Sequence, residues 1–237
     1  MKHLVSLVGL IAFLMVVLPG PLYKFNMVEL GTAFAGFRLG VYLGGAALVL
    51  LLVQVLFMRK TVSLTSALIT VIFAAVAIAM PLNMMNTAKS VPPIHDISTD
   101  LINPPEFVAV VPLRADAPNP VAYAGEETAA QQRKAYPELK SLEYNQTQLE
   151  LVAATTKAME NLGWELVNSD VNNGILEATD TTTWFGFKDD VVVRINDKGS
   201  KRVVDIRSKS RIGKSDLGKN AQRIKTLIDE LNAVVVQ

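Results

Sequence analysis

Two long uncharged runs leave this chain few options. Leu39 to Met58 is twenty residues without a charge, and Thr61 to Ala88 carries none either, with its greasiest centre at Leu64–Met80. A helix rises ~1.5 Å per residue, so ~20 residues cross a hydrocarbon core ~30 Å thick. Both runs therefore read as membrane spans. A shorter run, Leu4 to Leu18, follows Met1-Lys2-His3 and ends at Pro19-Gly20-Pro21. It reaches span length only if Leu22 and Tyr23 serve as an interfacial end. A charged start and a short apolar run also describe a secretory signal peptide. Against that reading, Pro19-Gly20-Pro21-Leu22 is a poor cleavage context and two further spans follow, so a retained first helix is expected.

Charge divides the chain in the same place. Residues 1–84 hold five bases (Lys2, Lys24, Arg38, Arg59, Lys60) and one acid (Glu29), and the remainder holds 18 bases and 21 acids. Basic short loops favour the cytoplasm, which puts the N-terminus and the Arg59-Lys60 turn inside and everything after residue 85 outside. No acid, His or Lys lies mid-span, so an ion or proton pathway has no groups to run on. Gly36, Gly40 and Gly44 form a stripe of small residues that lets helices approach closely. The stripe fits packing within a three-helix unit, or a homodimer.

Eight of the eleven prolines fall in residues 86–140, a density that forbids helix and favours extended chain. Phe107-Val108-Ala109-Val110-Val111 is too apolar to stay loose in water, so part of this stretch is expected to dock. Beyond it the periodicity sharpens. Thr147-Gln-Leu-Glu150 is a capping box opening a helix that Gly163 closes. Trp164–Ser169, Ile175–Thr179, Asp189–Asn196 and Arg202–Ser208 read as strands, with turns at Asn172-Asn173-Gly174 and Asp197-Lys198-Gly199. A last helix starting near Ser215 or Asp216 carries Leu217, Ala221, Ile224, Ile228 and Leu231 on one face. The expected architecture is three transmembrane α-helices (about 4–23, 37–58 and 62–84) in a membrane region 1–85. A partly docked proline-rich segment follows at 86–140, then a small α+β domain at 141–237. Its antiparallel sheet has the order β-α-β-β-β-β-α, with helices packed on it.

Candidate chemistry concentrates at the last hairpin. Residues 198–225 hold ten bases and two acids, whereas residues 96–180 hold five bases and 14 acids. The turn from Arg207 to Asn220 interleaves cations, serines and glycines before a helix N-terminus, where free N–H groups and the dipole favour an anion. Arg207, Arg211, Lys214 and Arg223 with Ser208, Ser210, Ser215 and Asn220 are the candidate ligands for a phosphate or carboxylate, over a floor of Asp190, Arg194 and Asp205. Gly213-Lys214-Ser215 is not a Walker A motif, because Ser208 stands where that motif requires glycine. The plainer reading is a basic surface neutralised by the domain's own acids. In that reading Asp190 faces Arg207, or Arg194 faces Asp205, as a surface ladder across the hairpin.

His95 is the only histidine expected outside, which excludes a His₂ or His₃ metal site. With Asp96 or Asp100 it is a weak candidate for acid–base work. Trp184, Phe185 and Phe187 cannot all face one way along an extended strand, and the surplus is expected to cover the proline-rich segment, with the bilayer or a partner as the alternatives. Cysteine is absent, so disulfides, thiol catalysis and thiolate metal sites are excluded. No metal and no cofactor is expected, and nucleic acid is not expected as a partner in that compartment.

Four blocks carry a resemblance: Pro92-Pro-Ile-His-Asp-Ile-Ser-Thr-Asp100, Asn103-Pro-Pro-Glu-Phe107, Trp184 to Ile195, and Asp205 to Arg223. In this order they resemble the domain-of-unknown-function family 1499 over roughly residues 90–235. The resemblance implies a bacterial envelope protein with relatives in plastids, and a His95 segment that belongs to the folded domain. It implies no activity. The function expected is that of an inner-membrane protein with a periplasmic domain that binds an anionic ligand, a lipid headgroup or an envelope partner. An envelope hydrolase using His95 and Asp96, and an assembly subunit, are the alternatives.

Overall fold

The computed structural model describes residues 3–236; Lys2, one of the bases in the orientation argument, lies outside the described residues. The chain forms two compact units. One runs to Lys89 and includes the distant tetrapeptide Thr183–Gly186; the other holds Ser90–Thr182 and the chain from Phe187 onward.

The first unit is built from helices α1 (Leu4–Val17), α2 (Pro19–Lys24), α3 (Leu30–Phe57) and α4 (Leu64–Ser90). Among them α3 and α4 are long and apolar enough to cross a membrane, with mean hydropathies of 2.3 and 2.2. Pro19 lacks the N–H that would continue α1, so α2 begins afresh with proline at its first position. The glycine stripe is used inside the unit. A Cβ on Gly40 would lie 2.5 Å from a Val16 methyl, one on Gly36 3.0 Å from the Met15 carbonyl, and one on Gly44 3.3 Å from the Ala74 carbonyl. Within this unit Gly36 and Gly40 thus face α1, and Gly44 faces α4. Ser6 of α1 hydrogen-bonds Ser66 and Thr70 of α4, and Phe13 stacks on Phe73 at 4.9 Å.

Trp184 and Phe185 belong to this unit and pack on its helices. The carbonyl of Val17 would ordinarily accept from residue 21, but Pro21 has no N–H to give. Trp184 Nε1 donates to that carbonyl instead, at 3.1 Å. Its ring lies 5.7 Å from Phe37, and Phe185 packs among Tyr23, Phe34 and Phe37. Phe187 stays with the second unit, where its N–H donates to Thr182 Oγ1.

The second unit contains β1 (Asp96–Ser98), α5 (Glu126–Ala135), β2 (Leu142–Tyr144), α6 (Gln148–Asn161), β3 (Glu165–Asp170), β4 (Ile175–Thr181), β5 (Lys188–Asp197), β6 (Arg202–Ser210) and α7 (Lys219–Val236). The sheet runs β1-β6-β5-β4-β3, with β2 also paired to β6, and every pairing is antiparallel. From β2 onward the order is β-α-β-β-β-β-α. Upstream of it lie β1, a 3₁₀ turn at Pro112–Arg114 and α5. Strand β1 occupies the far edge, and α5 fits in the proline-free window between Pro120 and Pro137, where the overall proline density had argued against any helix. Helices α6 and α7 cover one face. There Leu151, Ala158, Met159, Ile224, Leu227 and Leu231 meet Leu176, Val191, Val193, Val204 and Ile206.

Helix α6 begins at its capping box, with Thr147 Oγ1 accepting from Glu150 N–H and the Glu150 carboxylate accepting from Thr147 N–H. Helix α7 starts at Lys219, later than the sequence pattern suggests, because Leu217 (φ 56°) and Gly218 (φ 78°) are both left-handed. The Asp216 carboxylate accepts from the N–H groups of Gly218 and Asn220, at 2.7 Å each, and so closes the helix end.

Gly174, at φ 63°, carries the tightest turn, where a Cβ would sit 2.3 Å from the Ile195 carbonyl oxygen. Gly174→Ala is expected to destabilise the second unit by about 2–4 kcal/mol, the left-handed penalty and the backbone clash acting together. Urea unfolding followed by far-UV circular dichroism measures it; a loss under about 0.5 kcal/mol would refute this account of the turn.

Candidate functional site

Side chains alternate along a strand, so a sheet with one apolar face has a second face to dispose of. Here that second face bears Asp96 and Ser98 from β1, Glu177 and Thr179 from β4, Asp190, Val192 and Arg194 from β5, and Asp205, Arg207 and Lys209 from β6. The hairpin register sets Arg194 opposite Asp205 and Asp190 opposite Lys209. The sequence pattern made this a surface ladder. In the fold it is interior, with Asp96, Glu177 and Asp190 at 0% exposure and Arg207 and Lys209 at 2% and 1%.

What covers it is the proline-rich chain from Thr99 to Gly125. Arg207 grips both Asp96 oxygens, at 2.9 and 3.0 Å, and gives its remaining donors to the carbonyls of Pro105 and Val121. Its guanidinium lies 4.9 Å from the Phe107 ring centre and 5.3 Å from that of Tyr123. Lys209 Nζ bonds Asp96 at 2.9 Å and the Ala122 carbonyl at 2.6 Å. Glu177 accepts the N–H groups of Val108 and Ala109 at 2.8 and 2.6 Å. Arg114, from the covering segment, reaches Asp190 at 2.6 Å. Arg211 binds the same carboxylate and donates to the Leu113 carbonyl, while Arg194 bonds Asp205, Asp100 and the Asn103 carbonyl. The chemistry of proline accounts for the pattern. A stretch with many prolines and no partner strand exposes carbonyls that no neighbouring N–H can satisfy, and buried carbonyls need donors. Arginine and lysine supply several donors each.

The candidate ligand residues therefore divide. Arg223 is held by Asp180, Asp189 and Asn220 at 2.6–2.8 Å. Ser208, Ser210 and Asn220 are buried and bonded to one another, and Asn220 also donates to the His95 carbonyl. Arg194, Asp205 and Arg207 are on the opposite face of the sheet, bound to the covering segment and its carboxylates. Lys214 is exposed, and Ser215 Oγ accepts from Leu217 N–H. His95 and Asp96 are not brought together: His95 Nδ1 lies 3.3 Å from the Lys214 carbonyl, while Asp96 points to the opposite face and binds Arg207 and Lys209. Asp100 caps its own loop and pairs with Arg194. Among the described residues no group of three or more His, Asp and Glu is placed to hold a metal ion.

Four central residues were not singled out in the sequence as ligands: Arg114, Glu177, Asp189 and Lys209. Lys209 shares the strand parity of Asp205 and Arg207, and Glu177 interrupts an apolar strand, so both left a trace. Nothing local marks Arg114.

Charge and burial pull against each other here. Burial alone would raise the Asp190 carboxyl, but hydrogen bonds from Arg211, Thr179 and Arg114 and the Arg211 charge outweigh it, leaving it below its usual range. Burial likewise draws the Lys209 ammonium down despite Asp96, and lifts the Tyr123 phenol to about 12, with help from the Asp96 charge.

Two outcomes follow. Asp96→Asn leaves two buried cations without their carboxylate and should cost about 3–5 kcal/mol, read as a lower unfolding midpoint and faster proteolysis between residues 99 and 125. The stability that Asp190 contributes is complete above the unfolded carboxyl value of about 3.9 and is lost as pH falls through its lower folded value. Asp190→Asn should therefore flatten the acid limb of the stability curve; an unchanged limb would contradict this role.

No curated protein matches the chain. The family described as "Protein of unknown function (DUF1499)" matches residues 96–231, which takes in β1, the covering segment, the whole sheet and most of α7. More than half of the chain is matched, including both sides of the buried ionic layer, and the chain belongs to that family.

Proposed function

We propose that this chain is a bacterial inner-membrane protein with three spans, the first made by α1 continued through α2. In this reading the N-terminus is cytoplasmic, the family domain is periplasmic, and its basic turn binds an anionic lipid headgroup. Arg59 and Lys60, exposed in the turn between α3 and α4, support the orientation.

The observation that carries the headgroup reading is the length of the tether. Ser90 ends α4, and four residues later the Ile94 carbonyl accepts the Asp216 N–H. Val91 packs on Gly218, and His95 lies against Lys214. Four residues of chain span at most ~14 Å, so the turn stays within that reach of Ser90, the last residue of α4. Lys214, Ser215 and the outer edge of Arg211 face the ligand in this reading. Ser208, Ser210, Asn220 and Arg223 form a buried hydrogen-bonded network at the start of α7, next to the turn, while Arg194, Asp205 and Arg207 are engaged on the other face of the sheet.

The full chain in nanodiscs of mixed phosphatidylglycerol and phosphatidylcholine, released into a mass spectrometer under native conditions, should keep phosphatidylglycerol selectively. A lysine at the surface of an anionic membrane is worth ~1 kcal/mol, so Lys214→Ala should cut that retention about fivefold. Displacement by millimolar inorganic phosphate would identify a free anion as the ligand in place of a lipid. Equal retention of the two lipids would refute the headgroup reading.

A further inference from the structure

A second concavity in the outer unit does not involve the basic turn. It is a cleft of about 220 Å³ between the first turns of α7 and the start of β3. Lys219, Gln222, Arg223 and Thr226 line one wall, spaced on a single helix face, and Trp164 and Asp180 line the other. Its volume lies below the ~300–1,000 Å³ of sites for drug-sized ligands, so it suits one small ring.

The polar atoms left over in this cleft are specific. Arg223 takes Asp180 Oδ2 at 2.8 Å, and Asp180 Oδ1 has no hydrogen-bond partner among the described residues. Lys219 Nζ donates to Gln222 Oε1 at 3.2 Å, leaving the Gln222 amide N–H₂ and two ammonium protons free. Thr226 donates to the Gln222 backbone carbonyl and keeps its oxygen as an acceptor. Trp164 rests against the core on one side, and its indole N–H has no partner among the described residues. The cleft therefore offers acceptors as well as donors around an aromatic plane.

Its charge is close to balanced. Arg223 is shared between Asp180 and Asp189, and Lys219 is the remaining cation. A phosphate or carboxylate only accepts hydrogen bonds, and it would set a negative charge beside Asp180. A hydroxyl donates and accepts at once, so a ring bearing several hydroxyls can answer Asp180 Oδ1 and Thr226 while receiving from Gln222, Lys219 and Trp164. The apolar face of such a ring has the Trp164 plane to lie on. We infer that this cleft binds one ring of a neutral polyhydroxylated ligand, a monosaccharide unit stacked on Trp164.

The test uses the full chain in phosphatidylcholine nanodiscs, a lipid that brings no free polyol and avoids sugar-headed detergents. Saturation-transfer NMR is recorded with methyl α-D-glucopyranoside, methyl α-D-mannopyranoside and N-acetylglucosamine as separate probes. At least one should show saturable transfer to its ring protons. Gln222→Ala, at an exposed position that carries no core packing, should weaken that probe about tenfold, the scale of one lost hydrogen bond. Trp164→Ala should abolish transfer, and Lys214→Ala should leave it unchanged. Absence of saturable transfer with all three probes would overturn the inference. So would displacement of the bound probe by an equal concentration of inorganic phosphate, which would make the cleft an anion site.

Discussion

The carboxylate of Asp96, with Arg207 and Lys209 bound to it, is the interaction on which the second unit depends. All three are buried on the face of the sheet away from α6 and α7. Charges taken out of water are costly unless they meet each other with good geometry and their remaining hydrogen-bond capacity is filled. Asp96 provides the first condition. The carbonyls of Pro105, Val121 and Ala122 provide the second. The proline-rich chain is thus part of the fold, because it supplies the carbonyls that fill the remaining hydrogen-bond capacity of the β6 cations once they are out of water. The short strand β1 matters for the same reason, since it carries the carboxylate to the two cations across the β1–β6 register.

The same rule operates in the first unit in a different setting. Pro21 leaves the Val17 carbonyl without its helical partner, and Trp184 supplies an indole N–H from a point 167 residues away in sequence. In both units a proline creates an acceptor that local structure cannot satisfy, and a remote donor closes the account. A carbonyl buried without a donor is costly wherever water cannot reach it. An aromatic with a single polar N–H suits that position, because the rest of its surface packs among Phe34, Phe37 and Phe185.

This internal use of charge changes how the basic segment is to be understood. Ten bases in 28 residues look like a ligand site. Arg207, Lys209, Arg211 and Arg223 nonetheless direct their donors to the domain's own carboxylates and carbonyls. The bases turned outward are Lys198, Lys201, Lys214, Lys219 and Lys225, of which Lys201 and Lys225 pair with Glu143 and Glu138; the proposals above use Lys214 on the turn and Lys219 in the cleft beside Trp164. Recognition by this domain, as proposed above, works from that periphery, with the ionic layer acting as rigid support.

Several parts of the structure were legible in the residues because they are local. Uncharged runs of twenty residues specify helices long enough for a bilayer, whatever surrounds them. The Thr147–Glu150 capping box, Gly163, the Asn172–Gly174 turn and the Asp197–Gly199 hairpin all act over four or five residues, and period-two alternation marks β5 and β6. Helix α7 was placed too early because Leu217 adopts a left-handed backbone that its sequence does not advertise. Tertiary structure alone decided which polar strand face would be buried, which carbonyls Arg207 and Lys209 would meet, that His95 and Asp96 would point apart, and where Trp184 would go. Alternation reports that two faces differ, but not what will cover the polar one. That depends on contacts between residues a hundred or more positions apart, and no pattern within one strand records its distant partner.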